Sequence, residues 1–200
     1  MTSWRDRLNQ FSGKTRYVVC RIFVHLSGKE AAPLLGVLNQ AARDAVEAEG
    51  DMNLLGEGLV SVCQSLLQLN LHWQSAANEG DVFWREEDAG DYVEELFTDS
   101  AQRYLSEPAL SQTLTEDEAF SIPVTKNLVV MITVAATGEV PDIETNLADV
   151  EALEYGLKAL INLHYQGQLK AIQIHFSPAQ LGDDLTNDQL LTNFPELIPL

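Results

Sequence analysis

Four histidines, two cysteines and several runs of acid are the side chains in this sequence with chemistry to offer. His25, His72, His164 and His175 contain no pair at the spacing that sets two imidazoles on one helix face to hold zinc. His72 precedes Trp73 on what reads as a helix face. His164 falls in a last helical turn, where a partly positive imidazole suits the helix dipole. His175 lies on an alternating segment shortly before Asp183 and Asp184. One imidazole and two carboxylates can hold a divalent cation, so this trio is the candidate for a cryptic metal or acid–base site. The acids Glu86, Glu87, Asp88, Asp91, Glu94 and Glu95, and later Glu116, Asp117 and Glu118, could do acid–base work if one were buried. Along a helix such a run ordinarily forms a solvated face. Cys20 and Cys63 match no metal spacing and carry no local signature of an activated thiolate. They read as two buried thiols packed as small hydrophobes, with a disulfide as the alternative. Ser27-Gly28-Lys29 lacks the leading glycine of a phosphate loop. Ser111 and Ser177 lack a nucleophile elbow. The expectation is a protein with no catalytic site, no metal and no cofactor.

Charge narrows the partners. The formal net charge is −18. Such a surface repels phosphates, which argues against nucleic acid as a partner. The charge is uneven. Through Lys29 there are six basic residues against the single acid Asp6, a net of +5 that leaves −23 for the rest. Within this basic head, Trp4, Leu8 and Phe11 recur at helical spacing, flanked by Arg5 and Arg7. Trp4, Arg5, Arg7 and Phe11 are therefore the candidate partner-binding residues. They could meet a protein partner, an anionic membrane surface, or the acidic body of the same chain. A terminal helix packed on the domain is the plainer reading. No apolar stretch reaches the roughly 18–20 residues that cross a bilayer, and the N-terminal pattern is not that of a signal peptide. The expected location is the cytoplasm, a chloroplast stroma, or the surface of a membrane.

The elements that must position these residues read as one domain of 200 residues. Residues 1–13 are the basic head, 14–107 a strand plus helices, 108–125 a polar connector, and 126–200 a β-α-β-α block. Tyr17–Leu26 is rich in β-branched and aromatic residues and reads as a strand. Pro33 opens a helix to about Ala48. A second helix is expected from Asn53 to Ala77, with Asn78-Glu79-Gly80-Asp81 as a loop. A third is expected from Asp88 to Ser106, presenting Tyr92, Phe97 and Ala101. Leu128–Ala136 is almost wholly apolar and reads as a strand buried on both faces. Asn146 is the expected N-cap of a helix to His164. Leu169–Phe176 alternates like a half-exposed strand, and Thr186-x-x-Gln189 is a capping box opening a short last helix. A right-handed crossover is expected if the last two strands lie parallel in one sheet. The fold class is α+β: a helical N-terminal half packed on a small mixed sheet of about three strands, with the C-terminal β-α-β-α block.

The C-terminal residues resemble domain of unknown function 1517, a family of cyanobacteria and chloroplasts. The likeness rests on Asn127–Gly138 with Pro141 after it, on Leu169–Gln180, on Asp183, Leu185, Thr186 and Asp188 in an acidic turn, and on Phe194-Pro195-Glu196-Leu197. Phe176 and Phe194 stand where the family has Trp and Tyr. Several members carry a membrane span and a Gly-rich stretch before this domain, and this chain shows neither. The resemblance implies a divergent soluble member connected with photosynthetic membranes, and it attaches no reaction. The leading expectation is a non-catalytic interaction or regulatory protein acting near thylakoids. An enzyme or metal binder built on His175, Asp183 and Asp184, and a module for a pigment or other apolar ligand, are the alternatives.

Overall fold

The computed structural model describes residues 14–28, 32–103, 127–178 and 185–200. The elements run β1 (Tyr17–Ser27), α1 (Ala32–Glu47), α2 (Met52–Gln68), β2 (Trp73–Phe83), α3 (Glu86–Arg103), β3 (Asn127–Thr137), α4 (Val150–Tyr165), β4 (Leu169–Ser177), α5 (Asn187–Asn193) and β5 (Ile198–Pro199). The α+β class holds. The basic head and the connector at 108–125 lie outside the described residues.

The sheet is larger than the three strands expected. Five strands lie in the order β4-β3-β1-β2-β5, every neighbouring pair antiparallel. Two strands lie beyond those expected, the two-residue β5 and, of more consequence, β2. Strand β2 takes the place of the end of the expected second helix and of the expected loop 78–81. Its segment Ser75-Ala76-Ala77-Asn78-Glu79-Gly80-Asp81 has little intrinsic strand preference. Continuous pairing with β1 makes it a strand, from Tyr17 opposite Phe83 to His25 opposite Ser75. Helix α2 stops at Gln68, and a single turn at Asn70–His72 redirects the chain.

The sheet is not mixed as expected: β3 and β4 also pair antiparallel, so the condition for a right-handed crossover between them is not met. The cause lies in residues 138–149, which run back across the sheet before α4 begins. There the Cys20 thiol meets the Ile143 carbonyl at 3.5 Å. Asn78 donates to the Thr145 carbonyl and accepts from the Leu147 N–H, both at 2.8 Å. Helix α4 then returns the chain to the end of β3 that it left, where the Thr137 N–H bonds the Gln168 carbonyl at 3.0 Å. The N-cap of α4 is Asp149, whose carboxylate accepts from Glu151 and Ala152. Asn146 instead closes its own turn by accepting from the Ala148 N–H. The capping box at Thr186 and Gln189 forms as its spacing predicts.

Alternation along each strand divides the molecule into three layers. Val18, Cys20, Ile22, Val24 and Leu26 of β1, with the matching residues of β3, face α1, α2 and α4 and make the main apolar core. Val19 and Ala135 face α3, and Phe23, Val129 and Met131 pack with Leu185 and Phe194 near α5. Nearly every residue of β1 and β3 is buried, as a continuous apolar run requires in a sheet covered on both sides. Helix α3 buries Ala89, Val93, Leu96 and Ser100, so its inward stripe is offset from the expected one and Phe97 stays 45% exposed.

Candidate interaction surface and the polar inner face

The face of the sheet beneath α3 is partly polar, and parity explains why. Arg21 and His25 share one side of β1 with Val19 and Phe23. Their neighbours in register are Glu79 and Thr133 for Arg21, and Ser75 and Val129 for His25. Arg21 is 2% exposed, so its guanidinium must be met by internal acceptors. It donates to Glu79 Oε1 at 2.5 Å, to the Leu96 carbonyl at 3.0 Å and to Ser100 Oγ at 2.7 Å. It also pairs with Asp99 at 2.7 Å. Arg103 extends the network from Asp99 at 2.9 Å to the Asn193 carbonyl at 3.0 Å, tying α3 to the end of α5. Burial pushes the Asp99 carboxyl up, and the hydrogen bonds and charges of Arg21 and Arg103 outweigh it, leaving the group below the usual aspartate range.

His25 is held between Ser75 Oγ at 2.9 Å and Asn127 Oδ1 at 3.1 Å. Asn127 in turn donates to the Leu185 carbonyl at 2.7 Å. Burial lowers the His25 pKa, with the Asn127 bond opposing. His175 projects on the same sheet face from β4, its ring 5.2 Å from that of Phe97. Burial and then the charge of Arg21 lower its pKa. Its Nδ1, with Thr133 Oγ1 and Gln173 Oε1, finds no hydrogen-bond partner among the described residues. Asp183 and Asp184, the other members of the expected trio, lie outside the described residues, as do Trp4, Arg5, Arg7 and Phe11.

These two histidines set a pH dependence. Both fold with depressed pKa values, so as pH falls the unfolded chain takes up protons first. Their contribution to stability is complete well above the ordinary histidine value of about 6.5 and is lost as pH falls through and below it. The depressed Asp99 and Glu144 carboxyls add a second loss at lower pH, below the ordinary carboxylate range. Urea unfolding across pH should therefore show two successive declines. The upper one should disappear in His25→Gln/His175→Gln while the lower one remains.

The remaining candidates for chemistry are dispersed. Both cysteines are free and buried. Burial, then the Glu79 charge, pushes the Cys20 thiol up to about 12, and burial pushes Cys63 up as well, the opposite of an activated thiolate. The His164 ring fills the space above Gly56, where a Cβ would come within 2.0 Å of its Nδ1. His72 sits in the short turn before β2. Among the described residues no three His, Cys, Asp or Glu side chains are grouped to hold a metal. No helix among them is long and apolar enough to cross a membrane.

A groove of about 810 Å³ lies between α1 and α2. Val37, Ala41, Ala48 and Leu54 give it an apolar floor, and Asp44, Glu47 and Glu57 a carboxylate rim, with no Lys or Arg among the lining residues. The helices approach closely at its base, where a Cβ on Gly58 would lie 3.7 Å from that of Ala41. The sequence signal for this groove is the change in α1 from Leu34, Leu35 and Leu38, all buried, to an exposed second half that keeps apolar residues among acids. A crevice between this helix pair and β4 is smaller, about 80 Å³, and is lined by apolar residues and Gly58. That volume is well below the roughly 300 Å³ at which small-molecule sites begin.

No curated protein and no solved structure matches the chain. A family model does, over residues 16–200, and its description is "Protein of unknown function (DUF1517)". The match reaches back from the C-terminal block through all the described strands and helices, so this chain belongs to the DUF1517 family.

Proposed function

We propose that this protein is a non-catalytic interaction or regulatory module, and that its working surface is the groove between α1 and α2. The observation that carries the reading is the pairing, in one groove, of an apolar floor with charged lining residues that are all acidic. That combination suits an amphipathic basic segment of a protein partner, whose apolar side chains reach the floor while Lys and Arg meet Asp44, Glu47 and Glu57. The net charge of −18 adds long-range attraction for such a segment and discourages anionic partners. The family resemblance suggests the setting, a photosynthetic cell with the protein at the thylakoid surface or in the surrounding soluble phase.

The three rim acids are exposed, so Asp44→Lys/Glu47→Lys/Glu57→Lys should leave the fold intact. At about 0.1 M salt, where the Debye length is about 10 Å, proteins captured by the wild type from thylakoid extract should bind the variant at least about tenfold more weakly. Raising the salt should narrow that difference. Recovery of the same proteins in the same amounts by both forms would remove the groove as the working surface.

A further inference from the structure

The two edges of the sheet are treated differently. The outer edge of β2 is met by β5, which ends in Pro199, and further along that strand it carries Glu79 and Asp81. A proline and charges are the ordinary means of blunting an edge. The outer edge of β4 has no strand beside it among the described residues. It runs for nine residues, Leu169–Ser177, without proline inside it, and its one charge is Lys170, near the irregularity at its start.

This edge is apolar on the side of α1 and α2, and on the side of α3 it carries Ala171, Gln173 and His175. On one face the crevice walled by Ile172, Ile174 and Phe176 continues onto α1 and α2. There Ala42 and Ala45 are exposed, Val46 is 80% exposed and Leu54 is 50% exposed. On the other face the half-exposed Phe97 ring lies against His175. The residue order around Gln173 is close to symmetric, Ala171-Ile172-Gln173-Ile174-His175. Antiparallel pairing of this segment with itself about Gln173 sets each Ile172 opposite the other Ile174. A dyad normal to the sheet also keeps both α1–α2 layers on one side, so the small face of one α1 meets that of the other.

We propose that the β4 edge pairs with the β4 edge of a second copy of this chain, antiparallel and centred on Gln173, giving one sheet continuous through both copies. A stable dimer needs about 1,600 Å² of buried surface. A single strand pair supplies only part of that, so the Ala42 and Ala45 face of α1 belongs to the interface. Each copy carries −18, and β4 itself carries no acid. Repulsion therefore comes from the bodies, and salt strengthens the dimer by screening it.

Sedimentation equilibrium of the full chain tests this. At about 0.5 M salt the expected mass is twice 22.1 kDa, with tighter association than at low salt. Ala42→Glu/Ala45→Glu changes exposed positions only and should weaken dimerisation at least about tenfold, with an unchanged circular dichroism spectrum. A second measurement does not depend on that variant. Gln173→Cys sits at the dyad and should give a disulfide-linked dimer under mild oxidation, since Cys20 and Cys63 are buried. Lys170→Cys, whose partner in this register is Phe176, should link poorly. A wild-type chain that stays monomeric at high salt overturns the proposal and leaves the edge to a strand of another protein. A dimer indifferent to Ala42→Glu/Ala45→Glu, or one in which Lys170→Cys links as readily as Gln173→Cys, overturns it as well. None of these variants alters the rim acids of the α1–α2 groove.

Discussion

Arg21→Ala is expected to destabilise the fold by about 3–5 kcal/mol, a large share of the 5–15 kcal/mol that holds a domain together. The loss has three parts. Ser100 Oγ is fully buried and the Leu96 carbonyl is enclosed by the same contact, so both lose a charged donor that water cannot readily replace. Glu79 and Asp99 are each 42% exposed and recover hydration, so their part is smaller. The aliphatic stem of Arg21 leaves a cavity between β1 and α3, and its stacking at 4.8 Å over the Phe23 ring goes with it. Arg21→Met separates these parts. It refills the volume without restoring the hydrogen bonds, so it should recover some of the stability and not all of it. Arg85→Ala is the control. Arg85 pairs with Glu87 while 63% exposed, and its loss should fall within about 0.5 kcal/mol. Urea midpoints at unchanged slope measure all three. An Arg21→Ala chain as stable as Arg85→Ala would mean that the buried guanidinium does not hold α3 to the sheet.

The same residue shows what was legible in the sequence. Read as a run, Tyr17–Leu26 is a strand interrupted by Arg21 and His25, and the strand forms. Read by parity, those two polar residues share a side with Val19 and Phe23, and so do Thr133 on β3 and His175 on β4. That shared parity was the available sign that one face of the sheet is polar and needs a cover of its own. It becomes compelling only once the register of β1 against β3 is fixed, and register is long-range information. Elements with local causes were legible for the same reason in reverse. The apolar run of β3 and the Thr186–Gln189 capping box each depend on a few adjacent residues. Strand β2 has no such local cause, because its Ala-, Asn- and Gly-containing middle is held extended by β1. The direction of β4 was hidden because it depends on where residues 138–149 cross the sheet. The groove between α1 and α2 was half visible. Its acids and apolar residues could be placed on helices, but not set facing one another.

Gly80→Ala should act on β2 with comparable force, through steric repulsion and no loss of any polar contact. Gly80 lies opposite Cys20 in the β1–β2 pairing. A Cβ there would come within 2.3 Å of the Val19 carbonyl oxygen and 3.0 Å of the Cys20 Cα. Both are backbone atoms of a strand buried on its two faces, and β1 is pinned on its far side by β3, so β1 cannot give way. The strain falls on β2, which moves outward and lengthens the ladder that makes it a strand at all. Overpacking of this kind costs about 1–3 kcal/mol when side chains can yield, and a backbone clash places the expected loss at about 3 kcal/mol or more. The same substitution at Gly36 of α1 or Gly90 of α3 meets nothing within 4 Å. At those exposed helical sites it should stabilise by about 0.5–1 kcal/mol, because glycine is the poorer helix former. One chemical change should thus shift the urea midpoint in opposite directions according to whether the glycine lies in a helix or against β1. Amide exchange in Gly80→Ala should be fastest along Asn78–Val82 and their partners on β1. A Gly80→Ala chain with wild-type stability and protection there would show that β2 does not run as close to β1 as this pairing requires.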